Sequence, residues 1–198
     1  MLALGVRRLS GFFRQCVEHH AQIQQVFRKG KWMVDRRYEG IRFAVDRVVH
    51  DGRQRDIVRH PGAAVILPIV DADQICLIRN YRVAVDETLI ELPAGTLEPN
   101  EPPEVTAARE LTEETGYSAE SVELLVQFYP SPGIMDERMF VYVATGLTEG
   151  PPEREAGEEI ENLIVPLADA IAMIGDGRIK DGKTIAGLLY YERFGRRS

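Results

Sequence analysis

The pattern of apolar and polar positions changes its period near residue 30. Over residues 10–29, apolar side chains recur at steps of three and four, which predicts an amphipathic helix that Gly30 can end. From residue 32 to residue 60 the step becomes two, which predicts strands. The chain therefore begins with a helix and continues into a small β unit.

The β unit contains a hairpin signal. The pair Asp51-Gly52 favours a two-residue turn, and residues 53–58 would form the return strand. The strand before the turn is predicted from the alternation of three apolar residues, Ile41, Phe43 and Val45. We expect residues 1–60 to form an N-terminal helix and antiparallel β arm, followed by a main domain of residues 61–198.

The main domain shows strands first, then a helix, and helices again at its end. Short apolar runs bounded by turn residues predict strands at 63–70, 75–78, 88–92, 122–129, 139–145 and 160–165. Helical spacing predicts helices at 104–115, 167–174 and 184–194, with Gly116 closing the first. This order predicts an α+β fold, an α/β/α sandwich with a mixed sheet.

Composition excludes several classes of protein. The 198 residues are 44% hydrophobic and 28% charged, which is ordinary globular usage and argues against a disordered or coiled-coil chain. The longest apolar run, residues 63–70, is too short to span a membrane, and the first residues lack the apolar core of a secretory signal. Cys16 and Cys76 have no metal-ligand spacing, so we expect reduced thiols in a cytoplasmic protein without a membrane partner.

Charge is divided unevenly along the chain. Residues 1–60 hold 13 Lys and Arg against 6 Asp and Glu, whereas residues 61–198 hold 11 against 25. The basic arm lacks interleaved aromatic residues and the whole chain carries a net charge of -7, so we expect no nucleic-acid partner. A basic arm that contacts an anionic small molecule, beside an acidic domain that binds cations, explains the division.

The acidic residues are densest between residues 91 and 123, where nine acids accompany a single base, Arg109. In the predicted helix, Glu110, Glu113 and Glu114 share one face, and their mutual repulsion needs a cation or solvent to relieve it. The turn before the helix can expose backbone carbonyls, and carboxylate and carbonyl oxygens together are the ligands of hard cations such as Mg²⁺. The alternative interpretation is a solvated acidic face.

The same stretch resembles the signature of a known family. Gly95, Glu101 and the run RELTEETGY from Arg109 to Tyr117 match the Nudix box, G-x5-E-x7-R-E-U-x-E-E-x-G-U, at every fixed position. Tyr117 departs only from the final aliphatic position. Pro132, fifteen residues after Tyr117, and the pair Tyr81-Arg82 are similar to the ADP-ribose pyrophosphatase branch of that family.

The resemblance implies a Nudix fold and a hydrolase of nucleoside diphosphates linked to another group, using Mg²⁺ or Mn²⁺. It implies that Glu110 and Glu114 are the principal metal ligands, with Glu113 and the Ala94 carbonyl alongside. Arg109 and Glu101 would form a salt link that orients the helix. The branch implies hydrolysis of ADP-ribose to AMP and ribose 5-phosphate. Another sugar nucleotide such as GDP-mannose, a dinucleotide such as NADH or a diadenosine polyphosphate, and a non-catalytic nucleotide sensor are the alternatives.

Several residues outside the box are candidates for substrate binding. Trp32 and Phe43 could stack on adenine, and Arg55 and Arg82 could bind phosphates, although strand packing or surface charge also explains each of them. The resemblance adds Pro132 to these candidates. Unpaired strand edges in residues 32–60 predict a homodimer. In similar proteins of the branch the arm crosses to the other subunit, which would bring Arg55 to a shared site.

The attacking water needs a carboxylate that is not already holding the helix or the metal. The loop of residues 148–157, rich in Pro, Glu and Gly, leads into the last predicted strand through Glu158. A loop glutamate in the similar position is the general base of the branch, so we expect Glu158 to act as the base, with Glu159 and then Glu113 as alternatives. Glu161, on the strand, is expected to face solvent.

A second motif has the wrong context. Residues 177–184 match the P-loop pattern G-x4-G-K-[ST], in which backbone amides bind phosphates after a strand. Here a predicted helix precedes the pattern. We therefore expect a turn that leads into the last helix.

Overall fold

The computed structural model describes residues 26–29, 32–154 and 159–195. The chain divides into two compact units, with the boundary between Arg59 and His60. Most of the helix predicted over residues 10–29 lies outside the described residues. No helix in the described part of the chain has the length and hydrophobicity of a membrane span.

The N-terminal unit is an antiparallel sheet. The predicted turn is confirmed, because Asp51 and Gly52 have φ values of 50° and 72° and form a two-residue hairpin with the left-handed conformations that such turns require. The strands pair in chain order and are β1 (Val26–Lys29), β2 (Trp32–Glu39), β3 (Ala44–His50) and β4 (Arg53–Arg59).

Two predictions for this unit are wrong. Residues 26–29 do not end a helix, since they pair with β2 along a regular antiparallel register that places Val26 opposite Asp35. The second prediction is wrong in part: the strand before the turn is present and contains Val45, but it begins at Ala44, so Ile41 and Phe43 lie before it. Gly40 donates its N–H to the Phe43 carbonyl at 2.9 Å, which closes a turn, and Ile41 is fully exposed. Alternating apolar residues form a strand only where a partner strand can pair with them.

A buried carboxylate ties the strands of this unit together. Asp46 on β3 accepts a hydrogen bond from Arg59 on β4 at 2.9 Å and a second one from Arg36 on β2. Burial alone would raise the pKa of Asp46, but the two arginines outweigh burial and hold the pKa below its ordinary value. The ion pairs therefore link three neighbouring strands.

The second unit contains the rest of the described fold. Its elements are β5 (Ala63–Pro68), β6 (Gln74–Arg82), β7 (Glu87–Glu91), β8 (Ala94–Thr96), α1 (Pro103–Thr115), β9 (Tyr117–Phe128), β10 (Met139–Glu149), β11 (Ile160–Pro166), α2 (Leu167–Gly175) and α3 (Gly182–Tyr190), followed by a π-helical turn (Tyr191–Gly195). The strands form one sheet in the order β8-β5-β10-β9, in which β5 and β10 are parallel, and an antiparallel sheet in the order β11-β6-β7. The predicted α+β class with a mixed sheet is confirmed.

Strand β5 is buried on both faces and divides the core in two. Val65 and Leu67 belong to the cluster that contains Leu167 of α2 and Leu188 of α3. Their neighbours in β5 point the other way, into the cluster that contains Leu111 of α1. Because successive side chains of a strand alternate in direction, one apolar strand supports helices on both sides. This packing fixes α1 against the sheet.

Candidate active site

Helix α1 carries the acidic residues and has well-defined ends. Pro103 occupies its first position, where a missing N–H costs no hydrogen bond. Gly116 ends it in the left-handed conformation at a φ of 82° and donates its N–H to the Thr112 carbonyl at 2.9 Å. A Cβ at Gly116 would also collide with the Gly150 carbonyl, so only glycine fits this position.

Arg109 lies between three carboxylates. Its Nη1 donates to Glu110 at 2.8 Å and to Glu113 at 2.7 Å, while Nε and Nη2 each contact Glu101 at 3.3 Å. Burial lowers the pKa of Arg109, but these carboxylates more than offset it and raise the pKa above its usual value. Hydrogen bonds from Arg109 and Thr106 in turn lower the pKa of Glu101. The salt link between Arg109 and Glu101 ties the loop before the helix to the acidic face.

Strand β8 meets the acidic face at two points. The Ala94 N–H donates to Glu114 Oε2 at 2.9 Å, and the Glu114 side chain is buried. Gly95 lies directly against the carboxyl group of Glu110, and a Cβ at residue 95 would overlap that group. The segment from residue 92 to residue 95 therefore brings backbone against two of the glutamates, and the contact it makes with Glu114 is through an N–H rather than through the exposed carbonyls that the sequence predicts.

The donor chemistry of this face suits a hard divalent cation, since every side-chain donor is a carboxylate oxygen. The guanidinium of Arg109 lies between the carboxylates of Glu110 and Glu113 and forms an ion pair with each of them. Accordingly, among the described residues no group of three acidic, His or Cys side chains converges on one point as a ligand set.

The C-terminal end of α1 is held by the segment that follows β10. The last four carbonyls of the helix all accept hydrogen bonds: Thr112 from Gly116, Glu113 from the Glu153 N–H at 3.1 Å, Glu114 from Arg154 Nε at 3.2 Å and Thr115 from Asn162 Nδ2 at 2.8 Å. A guanidinium here also complements the negative end of the helix dipole. Sequence reasoning missed both Arg154 and Asn162. The only available signal was that Arg154 is a basic residue in an acidic loop.

A second ionic group lies at the end of β7. Glu91 is 1% exposed and accepts hydrogen bonds from Arg82 Nε at 2.8 Å and Nη2 at 2.6 Å, and from Lys183. Burial alone would raise the pKa of Glu91, but Arg82 and Lys183 lower it. The hydrogen bonds that Arg82 donates to Glu91 raise the pKa of Arg82, and the charges of Glu114 and Asp181 contribute, so Arg82 lies within electrostatic reach of the acidic face.

Sequence reasoning singled out Arg82 but missed Glu91 and Lys183. A glutamate inside the apolar run TLIEL was the available signal for Glu91. Lys183 gave no signal beyond the P-loop pattern, because Glu91, which it contacts, is 92 positions away in the sequence.

The remaining candidates belong to other elements of the chain. Trp32 and Phe43 belong to the N-terminal unit, where their rings pack on His50 at 4.5 Å and on Tyr38 at 5.6 Å, and Arg55 is exposed on β4. Pro132 is exposed in the loop between β9 and β10. The structure thus brings together Ala94, Glu101, Arg109, Glu110, Glu113 and Glu114.

The glutamates proposed near the last strand are only partly described. Glu158 lies outside the described residues. Glu159 is exposed immediately before β11, and Glu161 on β11 is exposed as well, with Arg79 at 3.8 Å.

Comparison with known proteins agrees with this geometry. The family model described as NUDIX domain matches residues 58–188. The chain therefore belongs to the Nudix family, and it is a Nudix hydrolase with a divalent-metal chemistry.

Its relatives include proteins with different names. The methanol dehydrogenase activator of Bacillus methanolicus is 42% identical over 143 residues, which cover 70% of this chain and 76% of the relative. The ADP-ribose pyrophosphatase of Bacillus subtilis (strain 168) is 38% identical over 141 residues, which cover 70% of this chain and 76% of the relative. The crystal structure of an ADP compounds hydrolase superposes with a TM-score of 0.70 and 26% sequence identity, covering 81% of this chain and 90% of that one.

Proposed function

We propose that this hydrolase uses Mg²⁺ to split the pyrophosphate bond of ADP-ribose. One water is added across the P–O–P linkage, and the products are AMP and ribose 5-phosphate. The observation that carries the proposal is that Glu110 and Glu114 contact the backbone of Ala94 and Gly95. Arg82, which can bind phosphate, lies within electrostatic reach of Glu114. The similarity to a relative named for ADP-ribose and to a structure named for ADP compounds supports the substrate.

Each acidic residue has a proposed part. Glu110 and Glu114 are the principal metal ligands, with Glu113 and the Ala94 carbonyl alongside. A divalent cation held by these residues would supply positive charge to offset the charge on the phosphate oxygens. Arg109 and Glu101 orient the helix that presents the ligands, and the exposed part of Arg82 contacts a phosphate of the substrate.

The general base is proposed to be Glu158, which would take a proton from the attacking water. Arg154, four residues before Glu158 in the sequence, donates from Nε to the backbone carbonyl of Glu114 at the end of α1, which supports this choice. Glu159 and Glu113 are the alternatives.

A hydrolysis panel tests the activity. ADP-ribose, GDP-mannose, NADH and a diadenosine polyphosphate are incubated with Mg²⁺, Mn²⁺ or a chelator, and the products are identified by mass. We expect ADP-ribose to give AMP and ribose 5-phosphate at the highest kcat/KM. If another compound gives the highest kcat/KM, that compound replaces ADP-ribose as the proposed substrate. Nucleotide binding without turnover would favour the alternative of a nucleotide sensor.

Glu114→Gln tests the metal ligands within the same panel. The glutamine oxygen can still accept the Ala94 N–H, so the fold should survive while one anionic ligand is lost. We expect kcat to fall about a thousandfold or more. Glu104→Gln is the matched control, because Glu104 is exposed on the first turn of the same helix. Near-normal turnover of Glu114→Gln would overturn the ligand assignment.

The N-terminal unit is proposed to make a homodimer. In the described residues β1 and β4 are edge strands, and Trp32, Tyr38 and Phe43 are large side chains left exposed, which a second copy could cover. Arg55 would then reach the substrate of the other subunit, with Trp32 and Phe43 near the adenine. A fully active monomer at micromolar concentration, measured by light scattering, would contradict this.

The protein is also proposed to be cytoplasmic, with its thiols reduced. Burial raises the pKa of the Cys76 thiol to about 12, so this cysteine stays protonated and unreactive.

A further inference from the structure

Four charged side chains form a cluster beside the strand end that leads into the active site: Arg82, Glu91, Asp181 and Lys183. Lys183 Nζ contacts Glu91 Oε2 and donates to Asp181 Oδ2 at 2.9 Å. The side chains of Lys183 and Glu91 are 9% and 1% exposed, whereas that of Arg82 is 39% exposed. The buried ammonium and carboxylate thus support an arginine that reaches the surface.

The lysine belongs to the segment that matches the P-loop pattern, and the structure gives that segment another use. Asp181 caps α3 by accepting the Thr184 N–H at 3.0 Å and the Thr184 hydroxyl at 2.6 Å. The Thr184 oxygen in turn accepts the Leu92 N–H at 2.8 Å. Lys183 and Thr184 therefore hold residues 91 and 92, the last residues before the turn that contacts the acidic face.

Glu91 forms ion pairs with two cations, Arg82 and Lys183. Arg82 uses Nε and Nη2 for Glu91, and its Nη1 has no hydrogen-bond partner among the described residues. The cluster holds two positive and two negative groups and is electrically neutral. Without Lys183, the full charge of a buried carboxylate would rest on Arg82, which would compete with any anion that Arg82 binds.

We propose that Lys183 is a positioning residue for the substrate: through Glu91 it orients Arg82 and leaves the guanidinium available to a phosphate of the nucleoside diphosphate. This inference rests on the proposed function, in which Arg82 contacts that phosphate. Lys183 itself touches no substrate in this arrangement. Its loss should therefore weaken substrate binding more than it slows the chemical step.

Steady-state kinetics with ADP-ribose and Mg²⁺ test this inference. We expect Lys183→Met to raise KM about tenfold while kcat stays within about threefold, and Lys183→Arg, which keeps the charge, to recover most of the loss. Lys180→Met is the matched control. Lys180 lies three residues before Lys183 on the same segment, and it pairs with the exposed Glu87. If Lys183→Met does not fold, Lys183→Gln removes the charge and keeps a hydrogen-bond donor.

The Arg82→Ala background separates the possible outcomes. If Lys183 acts through Arg82, the tenfold factor disappears there, because coupled residues are not additive. An undiminished factor, or a Lys183→Met enzyme with lower thermal stability and unchanged KM, would overturn the inference. An Arg82→Ala enzyme with normal KM would instead overturn the proposed contact between Arg82 and substrate.

Discussion

Gly95 gives a direct test of how closely the active site is packed. A Cβ added at residue 95 would overlap the Glu110 carboxyl group and lie 2.5 Å from Glu110 Cγ. Ordinary carbon contacts are about 3.5–4.0 Å, and the Glu110 carboxyl carbon would lie 1.9 Å from that Cβ, so the end of the Glu110 side chain must retreat by about 2 Å in Gly95→Ala. The φ of Gly95 is not among the positive values, so its backbone can accept alanine.

The substitution should have a small effect on stability and a large effect on turnover. Glu110 is a flexible, partly exposed side chain and Arg109 keeps Glu101 and Glu113, so we expect the free energy of unfolding to change by no more than about 1 kcal/mol. A misplacement of about 1 Å in a catalytic site can cost about a hundredfold in rate. We therefore expect kcat for ADP-ribose to fall about a hundredfold with saturating Mg²⁺.

The assay combines turnover with thermal unfolding by circular dichroism. Gly175→Ala is the control, because a Cβ at the end of α2 would meet no atom within 4 Å and should change neither measurement much. Normal turnover of Gly95→Ala would mean that Glu110 does not need its present position. Loss of the folded state would refute the reasoning that the side chain absorbs the clash.

Three further outcomes are expected. Glu158→Gln should lower kcat far more than KM, and a collapse in Glu159→Gln with a normal Glu158→Gln would move the general base by one residue. Mg²⁺ at a hundred times its Kd should stabilise the wild type by about 2.7 kcal/mol, and a chelator should abolish both this gain and activity, whereas Glu114→Gln should gain little. Because the pKa of Asp46 is lowered by folding, its stabilisation is complete above the unfolded pKa of about 3.9 and is lost as the pH falls towards the folded value. Fluorescence of Trp32, the only tryptophan, should show a weaker acid dependence in Asp46→Asn, and an unchanged acid transition would contradict this.

The centre of the site could be predicted because its information is local. The spacing of Glu110, Glu113 and Glu114 on one helix, and a glycine at its end, depends only on helix geometry, and α1 begins one residue before the predicted start. The meeting of Gly95 with Glu110 was accessible through the family pattern, which keeps a glycine at that position. Local periodicity and a spaced motif sufficed here.

Features that depend on pairing could not be predicted in the same way. Strand β9 begins at Tyr117, five residues before the predicted start, because β10 pairs with it as far as Glu149. The short β8 forms only because β5 accepts it as a neighbour. Lys183 meets Glu91 across 92 positions, and no local pattern records that contact.

The parallel pair of β5 and β10 also bears on how the chain reaches its fold. Met139 pairs with Ala63, so 76 positions separate the two partners, and the acidic segment from Gly95 to Tyr117 lies in the loop that they close. At a synthesis rate of about 5–20 residues per second, β5 leaves the ribosome roughly 4–15 s before its partner does. During that interval a strand apolar on both faces and the packing face of α1 have no completed sheet to cover them. Closing so long a loop is slow, and the acidic site becomes functional only after that closure.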